Sequence, residues 1–307
     1  MIVVSLVLSI ALMLVPVSLQ PLGRRFEAHR WRRACTSALL VGAAGLYLTL
    51  LALALPQVSE LLGARRLAQV CDELLGHLPH RFPAIGWTAL ALTITGAGVV
   101  WHTLRSASDH LTKLAVEPAI GHHTRCGPYE LVVLPTAAHI AYSRSGRPGQ
   151  IVISVGTAAA LSTTELEMVI RHEQAHLDRA HERMLKALMV VRRLGSWVPG
   201  VGRSVEAARL AIEREADELA AGSSPTRRAA LARALSVLAL ERRSAVVAAM
   251  TGCAGVQERL ASMRGELAPL GTTQHTALKL LFDLLPGGSL PAIALPLFML
   301  AGPCGGR

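Results

Sequence analysis

The sequence predicts a mainly α-helical protein in which N-terminal transmembrane helices precede an α+β domain. Long uncharged stretches in the first hundred residues indicate the membrane part. Two short runs rich in β-branched residues, near positions 129 and 150, indicate a small sheet, and a helical pattern then continues to about residue 282. With 51% hydrophobic residues and a mean hydropathy of +0.41, the chain of 307 residues is apolar for a soluble protein.

Three uncharged stretches predict transmembrane helices at about residues 1–23, 34–59 and 82–104. Each is long enough to cross roughly 30 Å of hydrocarbon as a helix. The first lacks the positive n-region of a secretory signal, so we expect it to remain uncleaved. A further uncharged stretch within 284–307 predicts a fourth transmembrane helix, although its four prolines also fit a re-entrant or loosely docked tail.

The placement of arginines predicts the orientation of these spans. The loop after the first span carries Arg24, Arg25, Arg30, Arg32 and Arg33. Short loops dense in arginine stay in the cytoplasm, so we expect residues 105–283 to form a cytoplasmic domain of a multi-pass protein of the cell membrane. The second loop also contains arginines, offset by acidic residues, which reduces the asymmetry.

The net charge of +10 does not predict a nucleic-acid-binding protein. Many of the arginines lie beside the predicted spans, where anionic lipid headgroups attract them, and no nucleic-acid-binding motif is present. The five cysteines are scattered without CxxC spacing, so they indicate neither a zinc finger nor a disulfide framework. Composition therefore predicts the lipid bilayer as the partner.

Local patterns predict the elements of the 105–283 domain. The segments "YELVVL" (129–134) and "QIVISV" (150–155) predict two strands. The segment "STTE" at 162–165 has the form of a capping box and predicts the start of a helix. Two later helices are expected over about 205–221 and 226–243.

Residues 172–176 spell HExxH inside the capped helix. Positions i and i+4 lie on one helix face, so His172 and His176 can present two ring nitrogens to one Zn²⁺ at about 2.0–2.1 Å. Glu173 projects beside them and can take a proton from metal-bound water, whose pKa zinc lowers toward about 7. A solvated, charged helix face is the alternative interpretation of these residues.

A catalytic zinc site also needs a third protein ligand. The metzincin pattern is excluded, because Arg179 and Glu182 stand where its glycine and histidine would be. His181 is expected to lie on another face, at the surface. The segment "EREADELA" offers Glu213, which can reach the metal, and Asp217, which can orient a ligand histidine; a solvated acidic run is the alternative.

Two blocks of the sequence, "AYSRSGRPGQIVISVGTAAALSTTELEMVIRHEQAHL" and "EREADELA", resemble the membrane gluzincin peptidases. This group includes the HtpX-type proteases and the BlaR/MecR-type antirepressor peptidases. The resemblance is close over about residues 129–222 and covers the flanking spans in architecture only. Three preceding spans and an end at "AGPCGGR" make the chain most similar to short BlaR/MecR-like peptidases, which lack a sensor domain. The resemblance implies a zincin-like (minigluzincin) catalytic domain.

The resemblance also implies the roles of individual residues. It implies one Zn²⁺ per chain, bound by His172, His176 and Glu213, with Glu173 as the general base. Asp217 would orient a ligand histidine. The resemblance further implies an edge strand on which an extended peptide substrate pairs by β-augmentation. The residues of that strand are Gln150, Ile151, Val152, Ile153 and Ser154.

The implied activity is zinc-dependent cleavage of a protein or peptide substrate at the cytoplasmic membrane face. Two other hypotheses stay open. The first is a regulatory peptidase that cuts a partner winged-helix repressor when a membrane sensor signals. The second is a membrane scaffold whose site has lapsed, although every residue that the chemistry requires is present.

Overall fold

The computed structural model describes residues 2–63, 83–113, 121–242, 253–266 and 271–288. Within these ranges the protein is mainly helical and contains one small sheet. The helices are α1 (Ile2–Gly23), α2 (Ala28–Leu61), α3 (Pro83–Lys113), α4 (Val155–Ala160), α5 (Thr163–Asp178), α6 (His181–Leu194), α7 (Val201–Ala221), α8 (Pro225–Arg242), α9 (Cys253–Met263) and α10 (Thr272–Gly288). The strands are β1 (His122–Cys126), β2 (Tyr129–Leu134), β3 (Ala141–Arg144) and β4 (Gly149–Ser154).

Among the described residues, three helices are long and apolar enough to cross a membrane: α1, α2 and the Pro83–Ser106 part of α3. They coincide with the three predicted spans. The arginine-rich segment differs from the predicted loop, because only residues 24–27 separate α1 from α2. Arg32 and its neighbours therefore lie in the first turns of α2. The predicted fourth span at 284–307 lies outside the described residues beyond Gly288.

α1 and α2 are antiparallel neighbours that approach closely at small residues. A Cβ atom built on Gly42 of α2 would lie 2.6 Å from the carbonyl oxygen of Ser9 and 2.7 Å from the side chain of Met13. The hydroxyls of Ser5 and Thr49 form a buried hydrogen bond of 2.9 Å across the same pair of helices. Small residues and hydroxyl pairs are common at helix contacts in lipid.

One hydrophobic core joins the candidate membrane helices to the later helices. Met13 of α1 and Trp31 of α2 are buried in the same cluster as Leu188 of α6, Ile212 of α7 and Phe282 of α10. α6 and α7 form a helical hairpin that packs along α1, α2 and α3. Van der Waals packing across this shared surface holds the two parts of the chain together.

Polar contacts fix α7 to the corner between α1 and α2. The guanidinium of Arg214 is buried and donates to the carbonyl oxygens of Gly23 and Phe26 at 3.4 and 3.1 Å. The backbone N–H of Ala28 donates to a carboxylate oxygen of Glu218 at 3.3 Å. The bonds at Gly23 and Ala28 add partners for backbone groups at the end of α1 and the start of α2. They position α7 against the start of α2.

The sheet has the strand order β1-β2-β4-β3. β2 and β4 are parallel, and β1 and β3 pair antiparallel to them on the two outer sides. The two predicted strands are therefore confirmed as β2 and β4, except that Val155 begins α4, whose N-cap is Ser154. The sequence analysis missed β1 and β3, which are short and lack a β-branched run.

The prediction that residues 150–154 form an edge strand is wrong. These residues lie in β4, which pairs with β2 on one side and with β3 on the other. Ile151, Val152 and Ile153 are buried, as is typical of a strand covered on both faces. Because both sides of β4 are already paired, Gln150 to Ser154 cannot accept a peptide by β-augmentation. β1 and β3 are the outer strands of the sheet.

Candidate metal centre

A capping box begins α5, as the sequence predicts. The Ser162 hydroxyl accepts from the backbone N–H of Glu165 at 3.4 Å, and the Glu165 carboxylate accepts from the backbone N–H of Ser162 at 2.9 Å. The capping box fixes the residue at which α5 begins, and α5 packs against α7. His172 and His176 therefore occupy the face that meets α7.

Three side chains from α5 and α7 bring their ligand atoms together. The Nε2 atoms of His172 and His176 lie 3.1 Å apart. Carboxylate oxygens of Glu213 lie 3.6 Å from the first of these nitrogens and 3.8 Å from the second. Ligand atoms bound tetrahedrally at 2.0–2.1 Å would be about 3.3 Å apart. The spacing fits a single ion, and the group can hold a metal.

Asp217 orients one of the two histidines. Its Oδ1 atom lies 3.0 Å from the Nδ1 atom of His172. Asp217 follows Glu213 by one helical turn on α7, so both carboxylates approach the same ring from one face. Contact at Nδ1 directs Nε2 toward the candidate metal position, which is the usual arrangement behind a metal-binding histidine. The predicted positions of Glu213 and Asp217 agree with this geometry.

Arg259 of α9 is a component of the centre that the sequence analysis missed. Its Nε and Nη2 atoms donate to the two oxygens of Asp217 at 2.8 and 2.7 Å. Its Nη1 atom lies 3.0 Å from the Oε2 atom of Glu213. One guanidinium thus holds both carboxylates of α7 with the planar geometry that arginine provides. Nothing in the local sequence around Arg259 indicates this role.

Burial and charge shift the ionisation of the centre. Burial lowers the pKa of His172, but the carboxylates of Asp217 and Glu213 outweigh it and raise the pKa to about 10. Burial raises the pKa of Glu213, but Arg259 and the histidines bring it well below its usual range. Burial lowers the pKa of His176. Before a metal binds, the site therefore pairs two carboxylates with a guanidinium and an imidazolium.

Glu173 is half-buried on α5, between the two histidines in sequence. Burial lowers the pKa of Arg259, but the charges of Asp217, Glu213 and Glu173 together raise it. The Glu173 carboxylate therefore lies within electrostatic range of the centre. Its charge acts in the same way on the pKa of His176, against the larger, lowering effect of burial.

His181 is buried, so the prediction that it lies at the surface is wrong. Its Nδ1 atom lies 3.0 Å from Nδ1 of His176, and its Nε2 atom lies 3.0 Å from Oε2 of Glu215. The extrapolation along one helix failed because α5 ends at Asp178 and Ala180 adopts a left-handed conformation with φ of 51°. The chain changes direction at Ala180, and α6 begins at His181, whose side chain therefore lies against the centre.

The acidic segment of α7 is not a solvated run. Glu215 is 2% exposed and forms an ion pair with Arg32 of α2 in addition to its contact with His181. Asp217 is 5% exposed. Two of the four carboxylates in this segment therefore face the interior, and the arrangement requires cations from other helices to compensate them.

Comparisons with known proteins found no significant match. No protein-family model matches the sequence, and neither curated proteins nor solved structures give a match. The fold and the site define a mainly helical chain with three candidate membrane helices, a four-stranded mixed sheet and a His-His-Glu group that can hold a metal ion.

Proposed function

We propose that the protein is a zinc-dependent endopeptidase of the membrane gluzincin type. The observation that carries the proposal is the convergence of ligand atoms from His172, His176 and Glu213, with Glu173 beside them on the same helix as the histidines. Two imidazoles and one carboxylate are a donor set that zinc accepts, with the fourth position left for water. A bound zinc ion would make that water nucleophilic near neutral pH.

The protein's own residues have separate tasks in this chemistry. Glu173 takes the proton of the attacking water and returns it to the leaving amine, as a general base and then a general acid. Asp217 holds His172 by Nδ1 so that Nε2 stays directed at the centre. Arg259 keeps the carboxylates of Glu213 and Asp217 ionised and in place.

The position of the centre relative to the candidate membrane helices favours a substrate at the membrane surface. α7 carries Glu213 and is bonded to the corner between α1 and α2, so the centre lies near the end of two candidate spans. Arginines are concentrated at this corner, and the positive-inside rule assigns such a segment to the cytoplasm. We therefore propose that the substrate is a protein chain that reaches the cytoplasmic face of the membrane.

The test is metal content and cleavage of casein by the purified, detergent-solubilised protein. We expect about one zinc ion per chain, because the site holds three protein ligands. Glu173→Gln should keep the zinc but lose activity by about 10²- to 10⁴-fold, the range of general acid–base catalysis. Glu167→Gln, which changes an exposed carboxylate of α5 that pairs with Arg171, is the matched control and should leave both properties unchanged.

Two results would contradict the proposal. Equal cleavage by Glu173→Gln and the unaltered protein would remove Glu173 from the mechanism. Protein that remains free of metal after dialysis against zinc at neutral pH would instead favour a scaffold without enzymatic activity.

A further inference from the structure

A series of buried polar contacts links α2 to the candidate metal centre. Arg32 of α2 forms an ion pair with Glu215 of α7. The same carboxylate oxygen lies 3.0 Å from Nε2 of His181, whose Nδ1 lies 3.0 Å from Nδ1 of His176. The side chains of Arg32, Glu215 and His181 are 11%, 3% and 0% exposed, so water does not compete for these contacts.

The chemistry of the groups assigns the protons along this series. The ionised Glu215 carboxylate can only accept hydrogen bonds, so it accepts from the guanidinium of Arg32 and from the Nε2–H of His181. When the ring of His181 donates only from Nε2, its Nδ1 is unprotonated and can accept from the Nδ1–H of His176. This tautomer of His176 leaves Nε2 without a proton, directed at His172 and Glu213. It is the form of the ring that a metal requires.

The two histidines of the centre are thus supported in parallel ways. His172 contacts Asp217, which Arg259 holds from α9. His176 contacts His181, whose carboxylate partner is held from α2. Burying an ionised glutamate and an arginine has a large desolvation cost, and Glu215 and Arg32 contact neither the ligand atoms nor Glu213. A positioning role accounts for that cost.

We propose that His181 is a positioning residue that fixes the ring of His176 for metal binding, and that Arg32 and Glu215 tie this support to helix α2. The inference rests on the proposed metal function and adds a route of regulation to it. A displacement of α2 that separated Arg32 from Glu215 would remove this support first from His181 and then from His176. A change in the membrane helices would reach the metal affinity in this way.

The experiment measures zinc affinity by competition with a chromogenic chelator, and site geometry by the visible spectrum of the cobalt-substituted protein. His181→Leu removes the acceptor and should weaken zinc binding about 10- to 100-fold, as loss of an outer partner of a metal ligand does. His181→Asn places an amide oxygen where Nδ1 stood and should recover most of the affinity. Both effects should appear in the tetrahedral cobalt bands.

Arg32→Met tests the link to α2. It should weaken zinc binding less than His181→Leu does, and alter the cobalt bands in the same direction. Arg33→Gln changes the exposed neighbouring arginine and should leave both readouts unchanged. If His181→Leu does not fold, the comparison of Arg32→Met with Arg33→Gln still tests the support of His176, because Met keeps much of the length of the arginine side chain and removes only its charge and donors.

The outcomes separate the inference from the proposed function. If the unaltered protein binds no zinc, the proposed function fails and this inference fails with it. If the unaltered protein binds zinc, and His181→Leu binds it equally with the same cobalt spectrum, His181 does not position the ligand. If Arg32→Met behaves like Arg33→Gln, the centre is not coupled to α2.

Discussion

The Nη1 atom of Arg259 lies 3.0 Å from the Oε2 atom of Glu213, and the rest of the same guanidinium binds Asp217. A single guanidinium from α9 therefore contacts both the buried carboxylate of Asp217 and the half-buried carboxylate of Glu213, which α7 carries one turn apart. α9 is the only described element that supplies a guanidinium to these two groups, so the centre depends on a segment far along the chain. The first prediction follows from this dependence.

Arg259→Met should destabilise the metal-free protein by about 3–5 kcal/mol, because it leaves the buried carboxylate of Asp217 without the guanidinium that binds both of its oxygens. The measurement is chemical denaturation in detergent with a chelator present. Arg264→Met provides the control, since Arg264 pairs with Glu266 at an exposed position where such pairs contribute at most about 1 kcal/mol. Similar midpoints for the two variants would show that the Arg259 contacts do not hold the fold together.

Glu213→Gln should abolish stable zinc binding. The amide is a poor ligand and also leaves Arg259 without one of its carboxylates, so the loss should exceed the 10- to 100-fold typical of an outer-shell change. Elemental analysis after gel filtration gives the zinc content. Glu206→Gln on the same helix alters an exposed carboxylate paired with Arg192 and should retain full zinc. Full zinc in Glu213→Gln would exclude Glu213 as a ligand.

Metal binding should displace a proton from His172. The raised pKa, about 10, means that this ring is protonated at pH 8 before a metal binds, whereas a ligand histidine must be neutral. Zinc affinity should therefore increase with pH up to about 10 and weaken as pH falls. Asp217→Asn removes the carboxylate that raises the pKa of His172 most. Zinc binding to this variant should therefore release up to one proton fewer per zinc ion at pH 8.

Isothermal titration calorimetry in two buffers of different ionisation enthalpy counts these protons. Equal proton release by the unaltered protein and by Asp217→Asn would show that Asp217 does not control the ionisation of His172.

The parts of the centre that sequence predicts are those encoded over short distances. The capping box at Ser162, the i, i+4 histidines and the spacing of Glu213 and Asp217 each depend on one helix, and each pattern has a direct geometric meaning. Helices are stable periodic units, so a residue's face can be derived from its position. The three candidate membrane helices are predictable for a similar reason, because lipid requires a long uncharged helix.

The other components depend on where separate elements meet. His181 is one residue past a left-handed Ala180, where the helical period no longer applies. Arg259 is 42 residues from Asp217 in sequence, and only the packing of α9 brings it to the centre. β3 has no apolar run and is a strand because it pairs with β4. The same pairing makes β4 a central strand and not an edge strand. No local pattern carries this information.

The contact between α1 and α2 gives the last prediction, which needs no metal. A Cβ atom at Gly42 would lie 2.6 Å from the backbone oxygen of Ser9, so Gly42→Ala must push the two helices apart. Overpacking of this kind costs about 1–3 kcal/mol. Gly98 of α3 has no neighbouring heavy atom within 4 Å of the same position, so Gly98→Ala should be neutral or stabilise its helix by up to about 1 kcal/mol.

Thermal unfolding in detergent should therefore separate these two chemically identical changes. The midpoint should fall for Gly42→Ala and stay level or rise for Gly98→Ala. Because Trp31 and Leu39 of α2 share a core with Ile212 of α7, separation of α1 from α2 should also loosen the support beneath the metal centre. Equal midpoints for the two variants would mean that α1 and α2 are not packed as closely as Gly42 requires.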